Sequence, residues 1–123
     1  MVGIVSTHAV IIVAALAGAS PALADAAAGQ KVFQGQCSTC HAVTSGTNKI
    51  GPSLYGIVGR PAATAAYKYS AAMTKAGLTW SVAELHTYLA APRKAVPGTK
   101  MTYGGLKDGV KLDNLVDYLA TLK

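Results

Sequence analysis

Residues 37–41 read Cys37-Ser38-Thr39-Cys40-His41, and this C-x-x-C-H stretch decides how the rest of the chain is interpreted. C-x-x-C-H is the attachment motif of c-type haem. Two cysteines three residues apart at a helix end can each form a thioether with one vinyl group of a porphyrin edge, and the adjacent imidazole then projects under the ring toward the iron. The motif therefore predicts one haem c, attached through Cys37 and Cys40, with His41 as an axial ligand.

Three other chemistries use closely spaced cysteines. A structural zinc site needs four ligands, whereas the chain has one cysteine pair and its other histidines are His8 and His86. A thioredoxin-type dithiol is expected in a βαβ context, and the sequence shows no such pattern. A plain disulfide is compatible with export but leaves His41 unexplained, so haem attachment is the preferred interpretation.

The second axial position has several candidates. Met101 lies in the Pro/Gly-rich segment 96–105 (VPGTKMTYGG), which can place a thioether against a flat ring without helical constraints. Packing is the alternative role for any such methionine. Met73 lies in an Ala-rich, helix-prone stretch where gap filling is expected, and His86 falls on the polar side of a predicted helix.

The N-terminal segment resembles a targeting signal rather than part of the fold. An apolar run at 9–17 is followed by small residues and an A-x-A site, Ala22-Leu23-Ala24. This layout predicts a secretory signal peptide at 1–24, cleaved after Ala24, and a mature domain at 25–123 located in the periplasm. The leading residues contain no Lys or Arg, so an uncleaved membrane anchor is the alternative, although the run is shorter than the ~20 residues of a spanning helix. We therefore expect no stable membrane insertion.

Charge and size limit the partners and the core. All 11 basic and 5 acidic residues follow position 24, for a net charge of +6. No basic run with interleaved aromatics suggests nucleic-acid binding, so acidic protein surfaces are the expected partners. A domain of this size has a thin core that a central prosthetic group would reinforce.

Periodicity predicts three main helices. They span about 26–37, 81–91 and 107–122, the second beginning with a Ser81/Glu84 capping box and ending before Pro92. Val82, Leu85, Tyr88 and Leu89 repeat on one face of it. The long turn-rich stretches between the helices favour loops wrapped around a bound group.

At this point the mature chain resembles the class I cytochromes c, the mitochondrial and small bacterial periplasmic group. The matching landmarks are Gly29, Phe33, CSTCH at 37–41, GPSL at 51–54, GIVGR at 56–60, YKYS at 67–70, GLTW at 77–80, VPGTKM at 96–101, and Leu115, Tyr118 and Leu119. The resemblance implies an all-α class I cytochrome c fold with three main helices, a short one, and long loops around one covalent haem.

The same resemblance implies roles for individual residues. Met101 would be the second axial ligand and Tyr88 would lie beside its sulfur. The Pro52 carbonyl would accept the His41 Nδ1 proton. Partners of the buried haem propionate would be Arg60, Tyr69 and Trp80, with Ser70 as a further candidate. Two departures stand out: Met73 occupies a commonly polar position, and Tyr103 replaces a common Phe.

In function, the resemblance implies a monomeric single-electron carrier, not an enzyme. It would move electrons from a quinol-oxidising cytochrome bc-type complex or a dehydrogenase to an oxidase, a reductase or a reaction centre. Lysines near the attachment and ligand segments would steer the acidic docking faces of partners, and the alternative is that they are scattered for solubility. These lysines are Lys31, Lys49, Lys94, Lys100 and Lys107. The alternative from another class is a haem peroxidase or gas sensor with an open sixth position, and a third is a membrane-tethered carrier that retains its leader.

Overall fold

The computed structural model describes residue 3, residues 9–12 and residues 25–123. The cleavage site predicted at 22–24 and most of the predicted signal peptide lie outside the described residues. In the described part no helix is long and apolar enough to cross a membrane.

Five helices follow one another along the chain. They are α1 (Ala26–Gln36), α2 (Ala71–Lys75), α3 (Val82–Ala90), α4 (Pro92–Ala95) and α5 (Gly109–Ala120). Within the described residues the one β pairing is an isolated antiparallel bridge between Pro61 and Thr79. The all-α prediction with three main helices is confirmed, and two short helices occur where the sequence predicted one.

Side-chain caps define where the helices begin. Asp25 accepts hydrogen bonds from the backbone N–H groups of Ala27 and Ala28 at 2.9 and 3.3 Å, which starts α1. Ser70, Ser81 and Asp108 cap α2, α3 and α5 in the same way. The α3 helix stops at Ala90, and Pro92 occupies the first turn of α4, where a missing N–H costs nothing.

The α1 and α5 helices pack directly against each other. Gly29 of α1 lies so close to α5 that an added Cβ would be 1.8 Å from the Asn114 carbonyl oxygen. The Phe33 and Tyr118 rings meet with centroids 5.8 Å apart, and Leu115 and Leu119 are almost completely buried. This contact places the end of α1, and with it the C-x-x-C-H segment, at a defined position.

One predicted core position is wrong. Val82 was assigned to the apolar face of the second helix, but its side chain is 48% exposed. It is the first residue of α3 and borders a pocket that Val116 and Ala120 of α5 also line, so α5 covers it only in part. Leu85 and Tyr88, one turn further on, are buried as predicted.

Candidate functional site

A cavity of about 480 Å³ lies at the centre of the fold. Its lining includes every site residue predicted from the sequence: Cys37, Cys40, His41, Pro52, Arg60, Tyr69, Trp80, Tyr88 and Met101. Buried apolar side chains from α3, α5 and the loops complete the wall. Loops that have little secondary structure of their own are thus arranged around one space, as the sequence predicted.

The two cysteines enter this cavity from the end of α1. The helix ends at Gln36, and the chain turns tightly so that the N–H groups of Cys40 and His41 both bond to the Cys37 carbonyl at 3.1 and 2.9 Å. Burial, assisted by the neighbouring Cys40, raises the pKa of the Cys37 thiol to about 11. Redox-active dithiols need the opposite shift, so this environment disfavours the thioredoxin-type alternative.

His41 is held in one orientation. Its Nδ1 lies 2.7 Å from the Pro52 carbonyl oxygen, and a carbonyl can only accept, so Nδ1 carries the proton and Nε2 keeps its lone pair. Burial lowers the pKa of His41, with the Pro52 bond opposing the shift and the Lys49 charge adding to it. Burial and the Lys49 charge thus favour the neutral imidazole, and the Nδ1 bond to Pro52 leaves Nε2 free to bind a metal.

Gly51 allows this arrangement because it has no side chain. A Cβ at Gly51 would be 2.3 Å from His41 Cε1 and less than 3 Å from both ring nitrogens. The imidazole therefore lies directly against the backbone of the segment that provides the Pro52 carbonyl.

Met101 lies on the loop that follows α4, and three hydrogen bonds orient it. Its backbone N–H donates to Thr99 Oγ1 at 3.4 Å, and the Thr99 hydroxyl is 3.0 Å from the Tyr88 hydroxyl, which is 4.0 Å from the Met101 sulfur. These contacts are mutually consistent when Thr99 donates to Tyr88 and Tyr88 donates to the sulfur. The ring of bonds then fixes both the backbone and the thioether of Met101.

Arg60 brings a positive charge to the cavity. Its Nη1 and Nη2 atoms donate to the carbonyl oxygens of Tyr55 and Ser53 at 3.1 and 3.3 Å, but its buried Nε has no hydrogen-bond partner among the described residues. Leaving a buried polar N–H unpaired is costly. An anionic group in the cavity would remove that cost.

Two aromatic residues, Tyr69 and Trp80, line the same cavity as Arg60. Tyr69 accepts a bond from the Ala65 N–H at 3.2 Å, so its own hydroxyl hydrogen remains available for a further acceptor. The buried Trp80 ring packs against Tyr88 at a centroid distance of 5.0 Å. A large, mainly apolar cavity whose lining also includes cationic and hydroxyl donors fits a porphyrin that carries propionates.

The other candidate ligands have different surroundings. Met73 is buried on α2 and lines the cavity, consistent with the predicted packing role. His86 lies away from it: Nδ1 is 2.8 Å from the Val82 carbonyl oxygen and Nε2 is 2.7 Å from an Asp113 carboxylate oxygen, so it connects α3 to α5.

Several site contacts were missed at the level of sequence. Lys49 Nζ donates to the Ser38 carbonyl inside the attachment motif, and the Tyr67 hydroxyl donates to the Ile50 carbonyl at 2.6 Å. Gln36 and Tyr103, 67 positions apart, meet through a 2.9 Å hydrogen bond. No local pattern marks such pairs, because each depends on loops that only the tertiary fold brings together.

Comparisons with known proteins agree with this geometry. The family model described as Cytochrome c matches residues 26–123. Cytochrome c2 of Rhodopila globiformis is 44% identical over 100 residues, which cover 80% of this chain and 94% of the relative. Cytochrome c2 of Agrobacterium tumefaciens (strain II Chrys) is 47% identical over 100 residues, covering 77% and 89% of the two chains.

A solved structure shows the same fold. Cytochrome cH from Methylobacterium extorquens superposes with a TM-score of 0.75 at 45% sequence identity, covering 79% of this chain and 98% of that one.

Proposed function

Because the chain belongs to the cytochrome c family, we propose that it is a single-electron carrier whose haem c is bound through Cys37 and Cys40 and axially ligated by His41 and Met101. The observation that carries this proposal is that both cysteines, an Nδ1-protonated His41 and an oriented Met101 thioether line one cavity. When bound, haem supplies an iron that alternates between the ferric and ferrous states.

The residues around the two axial positions support a closed site. The Pro52 carbonyl holds His41 with Nε2 unprotonated, and the bond makes the imidazole a stronger donor. The Tyr88 and Thr99 hydroxyls hold the Met101 sulfur in place. A neutral thioether ligand favours the reduced state and raises the potential. With both positions filled by the chain, no place remains for a substrate, which suits a carrier and not an enzyme.

The polar wall of the cavity suits the haem carboxylates. Arg60 Nε is an unpaired buried donor among the described residues, and Tyr69, which lines the same cavity, has a free hydroxyl hydrogen. We assign these two, with Trp80, to the buried propionate. A charged donor bonded to a carboxylate is among the stronger interactions in proteins, so this wall would fix the orientation of the group.

The distribution of charge supports docking to an acidic partner. Lys100 and Lys107 donate to the carbonyls of Lys68 and Ala90, so their ammonium groups have defined positions near the Met101 loop. On α5, Asp113 and Asp117 lie about 160° around the helix from the cavity-lining Leu115 and Leu119. The negative charges of α5 are thus turned away from the cavity. We propose that the partners are acidic faces of a cytochrome bc-type complex, dehydrogenase, oxidase or reaction centre.

The start of α1 supports a mature domain that begins at residue 25. Asp25 caps the helix, and its backbone N–H donates to the Asn114 side chain at 2.9 Å. We propose cleavage after Ala24 and a monomer that works in the periplasm. The intact mass of the protein purified from its native host tests this directly, since a retained leader would support the membrane-tethered alternative.

The absorption spectrum of the oxidised holoprotein tests the ligand assignment. A weak far-red sulfur-to-iron charge-transfer band is expected in the wild type and in Met73→Leu, and it should be lost in Met101→Leu. Met73→Leu is a matched control because it removes the other thioether that lines the cavity. If the wild type has covalent haem but no such band, the sixth position is open or bound by nitrogen, and the peroxidase or gas-sensor alternative gains support.

A further inference from the structure

Next to the attachment motif, two cavity-lining side chains are joined by a hydrogen bond. Tyr103, two residues after Met101, donates its hydroxyl to Gln36 Oε1 at 2.9 Å. Gln36 is the last residue of α1 and directly precedes Cys37. Both residues line the cavity. The bond therefore connects the loop that carries one proposed ligand to the segment that carries the other.

This connection has no parallel in the surrounding hydrogen bonds. Elsewhere the segment 96–108 is held by contacts to α3, α4 and the loop before α2. Arg93 bonds to the Thr102 carbonyl, Leu106 to that of Leu89, Lys107 to that of Ala90, and Lys100 to that of Lys68. Between residues 96–108 and residues 26–41, the Tyr103–Gln36 bond is the only hydrogen bond in the described part of the chain.

The two ends of the bond differ in rigidity. Gln36 belongs to a helix anchored by Gly29 and Phe33 against α5. Tyr103 belongs to a stretch at 101–108 without helix or strand. Movement of that stretch away from α1 would carry Met101 with it and would require this bond to break.

We propose that Tyr103 is a positioning residue: its bond to Gln36 limits opening of the Met101 loop and so restricts entry of small external ligands to the proposed iron position. The inference rests on the proposed ligation by Met101. It does not depend on any particular electron-transfer partner.

Imidazole binding to the ferric holoprotein measures loop opening, because imidazole can occupy the sixth position only after Met101 leaves it. Tyr103→Phe and Gln36→Leu each remove the bond. Since Gln36 is exposed, a bond of this kind contributes modestly, and each variant should increase the imidazole affinity about two- to fivefold. The double variant should show the same increase as either single variant, because one bond is lost in all three.

Three controls separate positioning from general loosening. Gln36→Glu keeps an acceptor of the same length and should bind imidazole with close to the wild-type affinity. Gln30→Leu makes the same substitution at another exposed position of α1 and should leave the affinity unchanged. The free energy of unfolding of Tyr103→Phe, measured in parallel, should fall by too little to account for its increased imidazole affinity.

Unchanged imidazole affinity in Tyr103→Phe would overturn the proposal. So would a double variant whose increase in affinity equals the product of the two single increases, or a Gln30→Leu variant whose affinity rises as much as that of Tyr103→Phe. A wild-type protein without the far-red sulfur band would instead refute the ligation by Met101. The two failures are thus distinguishable.

Discussion

Gly29→Ala should destabilise the protein strongly through one steric contact. The added Cβ would be 1.8 Å from the Asn114 carbonyl oxygen, 2.5 Å from its carbon and 2.8 Å from Tyr118 Cβ. Carbon–oxygen contacts normally lie at about 3.3–3.6 Å, so α1 and α5 would have to separate by about 1.5 Å. The obstructing atoms belong to helix backbone and cannot rotate away, in contrast to a flexible side chain.

The cost follows from what that separation loosens. A gap of this size forfeits about half or more of the dispersion energy between facing atoms, and it affects the contacts of Phe33 and Leu115. Overpacking in a core costs about 1–3 kcal/mol, while replacing a helical glycine returns about 0.5–1 kcal/mol. With the loosened packing included, we expect the free energy of unfolding to fall by about 3 kcal/mol, which lowers Tm by about 12–24 °C.

Gly35→Ala is the matched control in the same helix. A Cβ at Gly35 meets no atom within 4 Å, so this variant should be unchanged or about 0.5 kcal/mol more stable. Denaturant unfolding of the holoproteins, followed by circular dichroism and by the haem absorption, measures both. Equal stabilities of the two variants would refute the steric reasoning, because helix propensity alone would then describe both sites.

Three further predictions concern the cavity. Gly51→Ala should displace His41, since the new Cβ would be 2.3 Å from the ring. We expect reduced covalent haem incorporation, measured from the pyridine haemochrome spectrum. Normal incorporation with unchanged axial ligation would contradict this prediction. Burial raises the pKa of Tyr88, against a smaller opposing effect of the Thr99 bond, so an unfolded chain loses this proton first and stability should fall as the pH rises above about 10. Denaturant unfolding between pH 8 and pH 11 should show a shallower fall in Tyr88→Phe, and an identical slope would show that Tyr88 does not contribute. Without haem the polypeptide should be largely unfolded. Burying a few hundred Å² of porphyrin contributes on the order of 10 kcal/mol, which is comparable to the whole stability of a domain. A cooperative thermal unfolding transition in the Cys37→Ala/Cys40→Ala chain, produced without haem, would contradict this prediction.

Local patterns accounted for the helices and their ends. The Ser81 cap acts within three residues, and the repeat of Leu85, Tyr88 and Leu89 on the second helix is short-range, so both can be recognised in one sequence. The Val82 prediction failed because periodicity reports which face a residue is on but not how completely the neighbouring helix covers it. The second short helix was missed because a four-residue turn after Pro92 has no periodicity to detect.

The predicted cavity residues divide into those that a local motif identifies and those that the family resemblance added. C-x-x-C-H identifies Cys37, Cys40 and His41 because its chemistry is confined to five consecutive positions. The resemblance to class I cytochromes c extended the prediction to Arg60 and Met101, and both line the cavity. Their functional roles remain proposals that the spectra and variants above will test.

What the sequence by itself determined is the family, the helical class and nine of the residues that line the cavity, all of which depend on short motifs, on local periodicity or on resemblance to a known family. Only the tertiary structure decided that Gly51 lies against the His41 ring, that Arg60 Nε is left unpaired, and that Tyr103 reaches Gln36 across 67 positions. The physical reason is that these contacts join loops without repeats, whose mutual positions depend on how closely α1 and α5 pack and on the group the loops surround.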